Sequence, residues 1–117
     1  MDIGKEGELR AAGYLDRKGL RVIRTNFRCR FGEIDVIAMD GDTICFIEVK
    51  TRRGVSHGLP SEAVGRTKLL HIKKCAQVYL SRSGLKYESM RIDVVEVLRI
   101  RGRFYFRHLK NVSEGYL

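Results

Sequence analysis

Asp35, Glu48 and Lys50 are the residues whose types and spacing best suit chemistry. Two β-rich runs, residues 31–39 and 43–50, flank Asp40-Gly41-Asp42. Asp-Gly between such runs is a strong hairpin signal. With Asp40-Gly41 as the loop, Asp35 lies opposite Phe46 and diagonal to Glu48. With Gly41-Asp42 as the loop, Asp35 faces Glu48 directly. Either register puts both carboxylates on one face, with side chains about 4.5–8 Å apart. Lys50, two residues beyond Glu48, shares that face. The opposite face reads Ile34, Val36, Ala38 and Cys45, Ile47, Val49, apolar throughout.

Two carboxylates this close repel, and burial raises the pKa of one unless a cation intervenes. Mg²⁺ or Mn²⁺ takes oxygen ligands and supplies that charge. Asp35 and Glu48 are therefore candidate metal ligands, with the backbone carbonyl of Val49 as a third. Lys50 is suited to orient an attacking water and to offset charge on a phosphate. The alternative is an ordinary ion-pair cluster on a solvated sheet face. The apolar run Ile-Cys-Phe-Ile ending at residue 47 speaks against it, because a strand apolar on both faces is buried on both. Charges at the end of such a strand are costly without a role.

The elements that must position these groups are legible along the chain. Residues 3–18 read as a helix capped by Asp2 and ended by Gly19. Glu8, Ala12 and Leu15 share one face of it, so Glu8 points along the packed side and can bring a further carboxylate to the site. Residues 20–27 fit a strand at or near a sheet edge. Pro60 and Ser61 open a second helix running to about Ser81, with Ser61 as its cap and Lys68, Lys73 and Lys74 on its surface. Residues 91–100 and 104–109 read as strands joined by a turn at Arg101-Gly102-Arg103. The expected fold is α/β in the order α-β-β-β-α-β-β, a single domain over residues 1–117, with one long irregular loop at 51–60.

Charge suggests the partner. Residues 1–50 hold nine basic and nine acidic side chains, whereas residues 51–117 hold fourteen and five, so the whole net charge of +9 lies in the second part. Phosphates reward clustered cations by releasing counterions. Arg52 and Arg53, beginning the long loop, and Lys68 on the second helix are candidate nucleic-acid contacts. Arg99, Arg101, Arg103, Arg107 and Lys110 form a second basic group, of which alternate members face away from any one ligand. Glu33 neighbours the site, nearer its rim. Tyr14 and Tyr79 read as core. Cys29, Cys45 and Cys75 stand far apart with no Cys-x-x-Cys pair, which predicts buried free thiols in a reducing compartment. The N-terminus carries no apolar signal core and no stretch is long enough to cross a bilayer, so the expected address is the cytoplasm, without a membrane partner. No P-loop, Rossmann glycine pattern or hydrolase triad is present.

Gly32-Glu33-Ile34-Asp35 followed by Phe46-Ile47-Glu48-Val49-Lys50 resembles the active-site signature of the PD-(D/E)-x-K, or restriction-endonuclease-like, nucleases. Nearly the whole chain is similar to the YraN-like family of small bacterial proteins. The similarity runs through residues 4–15, Asn26-Phe27-Arg28, Lys50-Thr51-Arg52, residues 63–68 and residues 91–95, and the core also resembles archaeal Holliday-junction resolvases. The resemblance implies a three-layer core with a mixed sheet of about five strands flanked by helices. It implies Asp35 and Glu48 as ligands to Mg²⁺ or Mn²⁺, Lys50 as the catalytic lysine and Glu8 as the helix-borne acid. Ile34 stands where the signature has proline. The activity implied is metal-dependent hydrolysis of phosphodiesters, in DNA rather than RNA, on branched or repair intermediates. A junction enzyme must cut two strands, so a homodimer is expected for that substrate. The alternatives are a nucleic-acid-binding accessory protein that keeps the fold without cutting, and an interaction module for acidic partners.

Overall fold

The computed structural model describes residues 2–54 and 64–113. Its elements are α1 (Ile3–Arg17), β1 (Arg21–Cys29), β2 (Gly32–Asp40), β3 (Thr43–Arg53), α2 (Arg66–Ser83), β4 (Ser89–Ile100) and β5 (Arg103–Leu109). The order is the expected one. The five strands lie side by side as β1-β2-β3-β4-β5, antiparallel except for the parallel pair β3·β4. The sheet is therefore mixed, with β3 at its centre. Ile44, Cys45, Phe46 and Ile47 are fully buried, as a run apolar on both faces requires.

The helices cover opposite faces. α1 packs Ala11 and Leu15 on Val36, Ala38, Cys45, Ile47 and Val95. α2 packs Leu69, Ile72, Cys75 and Ala76 on Phe27, Ile37, Phe46 and Val94. The result is three layers.

Several details differ from the sequence reading, each for a physical reason. The buried stripe of α1 is Gly7-Ala11-Leu15 rather than Glu8-Ala12-Leu15. Gly7 lets α1 settle onto β3, because a Cβ there would overlap Thr51 Oγ1 and sit 2.9 Å from Thr51 Cβ and Cγ2. Ile34 packs with the α2-side cluster while Val36 and Ala38 lie on the α1 side, so β2 departs from plain alternation at Ile34-Asp35. Its neighbour β1 is irregular too: the register slips between Val22 and Arg24, and Asn26 adopts φ 51°. α2 starts at Arg66 with Gly65 as N-cap, a residue that reaches the extended cap conformation easily. The Pro60-Ser61 start lies outside the described residues. Arg52 and Arg53 are not loop residues but the last of β3, paired with Leu98 and Arg99. The cysteines are free, yet Cys29 is only half-buried and its Sγ lies 2.9 Å from that of Cys75.

The turns follow the sequence. Asp40 pairs with Thr43, making Gly41-Asp42 the loop, and Gly41 takes φ 59°. Arg101 and Gly102 both have positive φ between the paired Ile100 and Arg103. This is the two-residue hairpin loop that matches strand twist. Tyr14 stacks on Phe106, and Tyr79 meets Phe27 and Phe46 edge-on.

At the sheet end near that first hairpin, buried Asp93 gathers donors. Arg91 Nε approaches its two oxygens at 3.0 and 3.1 Å, His108 Nε2 lies at 2.8 Å, and the Asn111 N–H donates at 2.9 Å. Burial alone would raise the Asp93 carboxyl, but these hydrogen bonds and the Arg91 charge outweigh it and hold the group below its ordinary value of 3.8. Arg91 also reaches Asp40 at 2.9 Å, tying the hairpin to β4.

Two stability outcomes follow from this packing. Gly7→Ala, normally favourable in a helix, should cost about 1–3 kcal/mol in urea unfolding because α1 must lift from Thr51. Asp93→Ala should cost about 3–5 kcal/mol at neutral pH by leaving buried partners uncompensated. Since the folded Asp93 is the stronger acid, its contribution is present above pH 4 or so and is lost as pH falls further, so the gap between the two proteins should narrow in acid.

Candidate metal centre

The site forms where the β2–β3 ladder stops. The last pair is Val36↔Ile47, and the same register carried outward sets Asp35 opposite Glu48. The Val49 N–H then donates to Asp35 Oδ2 at 2.8 Å, a side chain taking the position of a ladder acceptor. N–H and C=O of one residue point to the same side of a strand, so the Val49 carbonyl also turns toward β2. Of the two registers open in the sequence, this is the one that opposes the carboxylates directly.

Asp35 and Glu48 are buried, at 8% and 6% exposure. Burial, then a hydrogen bond to Glu48, then repulsion from Glu48 push the Asp35 carboxyl up to about 9. The Val49 N–H pulls the other way, and the charge of Glu8 adds to the rise. On its other side Asp35 meets two more carboxylates. One oxygen each from Glu8, Glu33 and Asp35 lie within 4.8 Å of one another. Asn26 Nδ2 bridges Glu8 Oε1 and Glu33 Oε1, each at 3.0 Å, and Arg28 Nε holds Glu33 Oε2 at 2.9 Å. The left-handed backbone of Asn26, tolerated by that residue type, stands beside Asp35 in the register. Asp35 is thus shared between Glu48 and the Glu8/Glu33 pair.

The cations stand as follows. Lys68, at the start of α2, reaches Glu48 Oε2 at 3.3 Å without hydrogen-bond geometry, and that buried oxygen has no hydrogen bond. Lys50 is half-buried, on the Glu48 face by alternation, and makes no ion pair among the described residues. Arg52 turns to fully buried Glu96 at 3.5 Å, and Arg107 meets the same carboxylate at 2.9 Å. Arg53 is exposed at the end of β3. A cleft of about 510 Å³ opens beside the acids, lined by Lys5, Glu8, Asn26, Arg28 and Glu33 among others.

The structure brings Glu8, Asp35, Glu48 and the Val49 peptide together. It also recruits Glu33, expected nearer the rim, and Asn26 and Arg28, which the sequence marks only as part of the Asn26-Phe27-Arg28 stretch of the family resemblance, with no site role. An Asn in a strand, seven residues before a Glu, was the signal available. Hard oxygen donors, and a carboxyl forced toward its neutral form by burial and by its carboxylate neighbours, are the donor set and electrostatics that a divalent cation satisfies.

Comparison with known proteins gives the lineage. A sequence profile of UPF0102, an uncharacterised protein family, matches residues 7–97. The chain belongs to the UPF0102 family. The UPF0102 protein of Syntrophus aciditrophicus strain SB is 52% identical over 94 residues, covering 80% of this chain and 74% of that one. The UPF0102 protein of Arthrobacter sp. strain FB24 is 44% identical over 112 residues, covering 95% of each. The profile takes in Glu8, Asn26, Glu33, Asp35, Glu48 and Lys50, so the whole candidate centre lies within the UPF0102 core. No described helix is long and apolar enough to cross a membrane.

The electrostatics make a prediction for metal-free protein. Between the ordinary Asp value of 3.8 and about 9, folded Asp35 holds a proton that the unfolded chain has released. Stability should therefore fall as pH rises through this window, by up to about 1.4 kcal/mol per unit. In EDTA, urea unfolding from pH 5 to 8 should show this slope in the wild type and its loss in Asp35→Asn. Mn²⁺ should raise the wild-type melting temperature at pH 8 and leave the variant unchanged.

Proposed function

We propose that this UPF0102 chain is a metal-dependent, restriction-endonuclease-like nuclease that hydrolyses phosphodiester bonds of DNA, branched or repair intermediates included. One observation carries the reading: a buried aspartate between Glu48 and the Glu8/Glu33 pair, at the open end of a strand ladder, in a chain of net charge +9. A structural role alone does not account for like charges brought together out of water.

Asp35, Glu48 and the Val49 carbonyl would hold a Mg²⁺ or Mn²⁺ ion, with Glu8 and Glu33 flanking it. When bound, the ion would polarise the phosphodiester and lower the pKa of an attacking water. Lys50 orients that water and offsets charge on the phosphate. Lys68, now 3.3 Å from Glu48, would be available to a phosphate oxygen if an ion took over the charge of that carboxylate. Asn26 and Arg28 are positioning residues that keep Glu8 and Glu33 turned toward Asp35. Arg53, exposed beyond the site, is suited to a backbone phosphate, whereas Arg52 is already engaged with Glu96.

The Lys68–Glu48 pair favours a second reading. An ammonium that permanently neutralises Glu48 would leave a nucleic-acid-binding protein that keeps the fold without cutting. A panel of labelled linear, flapped and four-way DNA substrates, with RNA in parallel, separates the two. Cleavage is expected with Mn²⁺ or Mg²⁺ and none in EDTA. Asp35→Ala should abolish it, Lys50→Ala should lower it by about 10²–10⁴-fold, and Asn26→Ala by about 10–100-fold, with DNA binding retained. Salt-sensitive binding without cleavage of any substrate would establish the accessory reading instead.

A further inference from the structure

A second cleft, of about 530 Å³, lies on the other flank of α1, between that helix and the β4–β5 turn. Arg10, Arg17 and Arg103 line it, together with Gly13, Gly102 and the rings of Phe104 and Phe106, and no acidic side chain does. All three arginines are exposed, and among the described residues none is paired with a carboxylate. Three guanidiniums crowded around one concavity repel one another, an arrangement that favours an anion.

The local sequence builds this cleft. Arg10 and Arg17 are seven residues apart, on one face of α1, with Gly13 between them. The absent side chain leaves the floor open, and a Cβ on Gly13 would stand 3.4 Å from Arg17 Nη1, so the guanidinium folds back over the glycine. Opposite, Arg101-Gly102 turns the chain so that β5 begins with Arg103. Arg10 Cζ stands 4.4 Å from the centre of the Phe104 ring, a cation–π contact that fixes the guanidinium at the cleft wall. Phe106 is stacked on Tyr14 and Phe104 lies under Arg10 and Arg99, so the rings hold the guanidiniums in place. Such a cluster suits an unpaired strand, whose phosphates meet the charges and whose bases can stack on guanidinium planes.

We propose that this cleft is a single-strand subsite, in which Arg10, Arg17 and Arg103 hold the phosphates of a nucleic-acid strand that crosses α1 from the acidic centre. The inference rests on the nuclease reading for its substrate. Leu9, 62% exposed, lines both clefts and forms the ridge between them. The helix is about 10–12 Å across with its side chains, so about three stacked nucleotides span from one cleft to the other. The substrate class is then one with an unpaired arm: a flap, a frayed end or the opened centre of a junction.

The test is anisotropy of a fluorescein-labelled oligothymidylate, in EDTA and across a salt series, on the full chain. Arg10→Gln/Arg17→Gln/Arg103→Gln should weaken binding at least about tenfold at low salt and flatten the log–log salt dependence by about 2, three phosphates at about 0.7 each. Gly13→Gln changes no charge and favours the helix, yet fills the floor, and should weaken binding several-fold. Lys74→Gln/Arg82→Gln/Lys86→Gln removes equal charge on the α2 side and should leave affinity within about twofold. A cleft variant that binds as the wild type does, or no more weakly than the α2-side variant, overturns the proposal, as does equal loss on a duplex of the same length. With divalent ions chelated, binding of this kind in a protein that never cleaves any substrate would leave the subsite standing and remove the nuclease reading.

Discussion

A single hydrogen bond, from the Val49 N–H to the Asp35 carboxylate, marks where the sheet stops being only a scaffold. Inside Val36↔Ile47 the strands are held by backbone pairing and buried on both faces. Beyond it a side chain does what the backbone did, and the carboxylates of Glu8, Glu33 and Glu48 gather around Asp35. The energetics are unfavourable taken alone. Asp35 is buried, hydrogen-bonded to Glu48, near the charge of Glu8, and driven toward its neutral form. The packing of α1 and α2 on a continuous apolar core holds this arrangement against its own repulsion.

The two helices contribute differently. α1 carries Glu8 one residue after the glycine that lets the helix touch β3, so the helix-to-sheet distance and the position of one acid are a single adjustment. α2 brings Lys68 across the other face to Glu48. The acids therefore sit between a helix that adds negative charge and one that adds positive charge. The Asp93 network, nearer the first hairpin, anchors Arg91 to Asp40 and holds β4 against the hairpin from which the site grows.

Much of this was legible in the chain itself. Asp-Gly between two β-rich runs foretold the hairpin, and the side-chain period of two put Asp35 and Glu48 on one face whichever loop was chosen. The doubly apolar run before Glu48 located the central strand. What escaped the reading was local irregularity. Asn26 in the left-handed region and the face switch at Ile34-Asp35 break the alternation on which the reading relied. They are also what bring Glu33 inward and give Glu8 its partner. The helix stripe was displaced by one position because a glycine, which has no side chain to bury, contributes by closeness rather than by hydrophobicity. Arg52 reads as a solvent cation in sequence, and only the fold reveals buried Glu96 beneath it.

The irregularity of β1 has a second effect. An outermost strand with regular backbone is a template onto which another chain can add. Here the slip between Val22 and Arg24, the positive φ of Asn26 and the exposed cations Arg21, Arg24 and Arg28 interrupt that template along its length. Such features are the usual guards against edge-to-edge aggregation. The distortion that seats the acids therefore also keeps the sheet from growing at that margin, and a change that straightened β1 would put solubility at risk along with the carboxylate cluster.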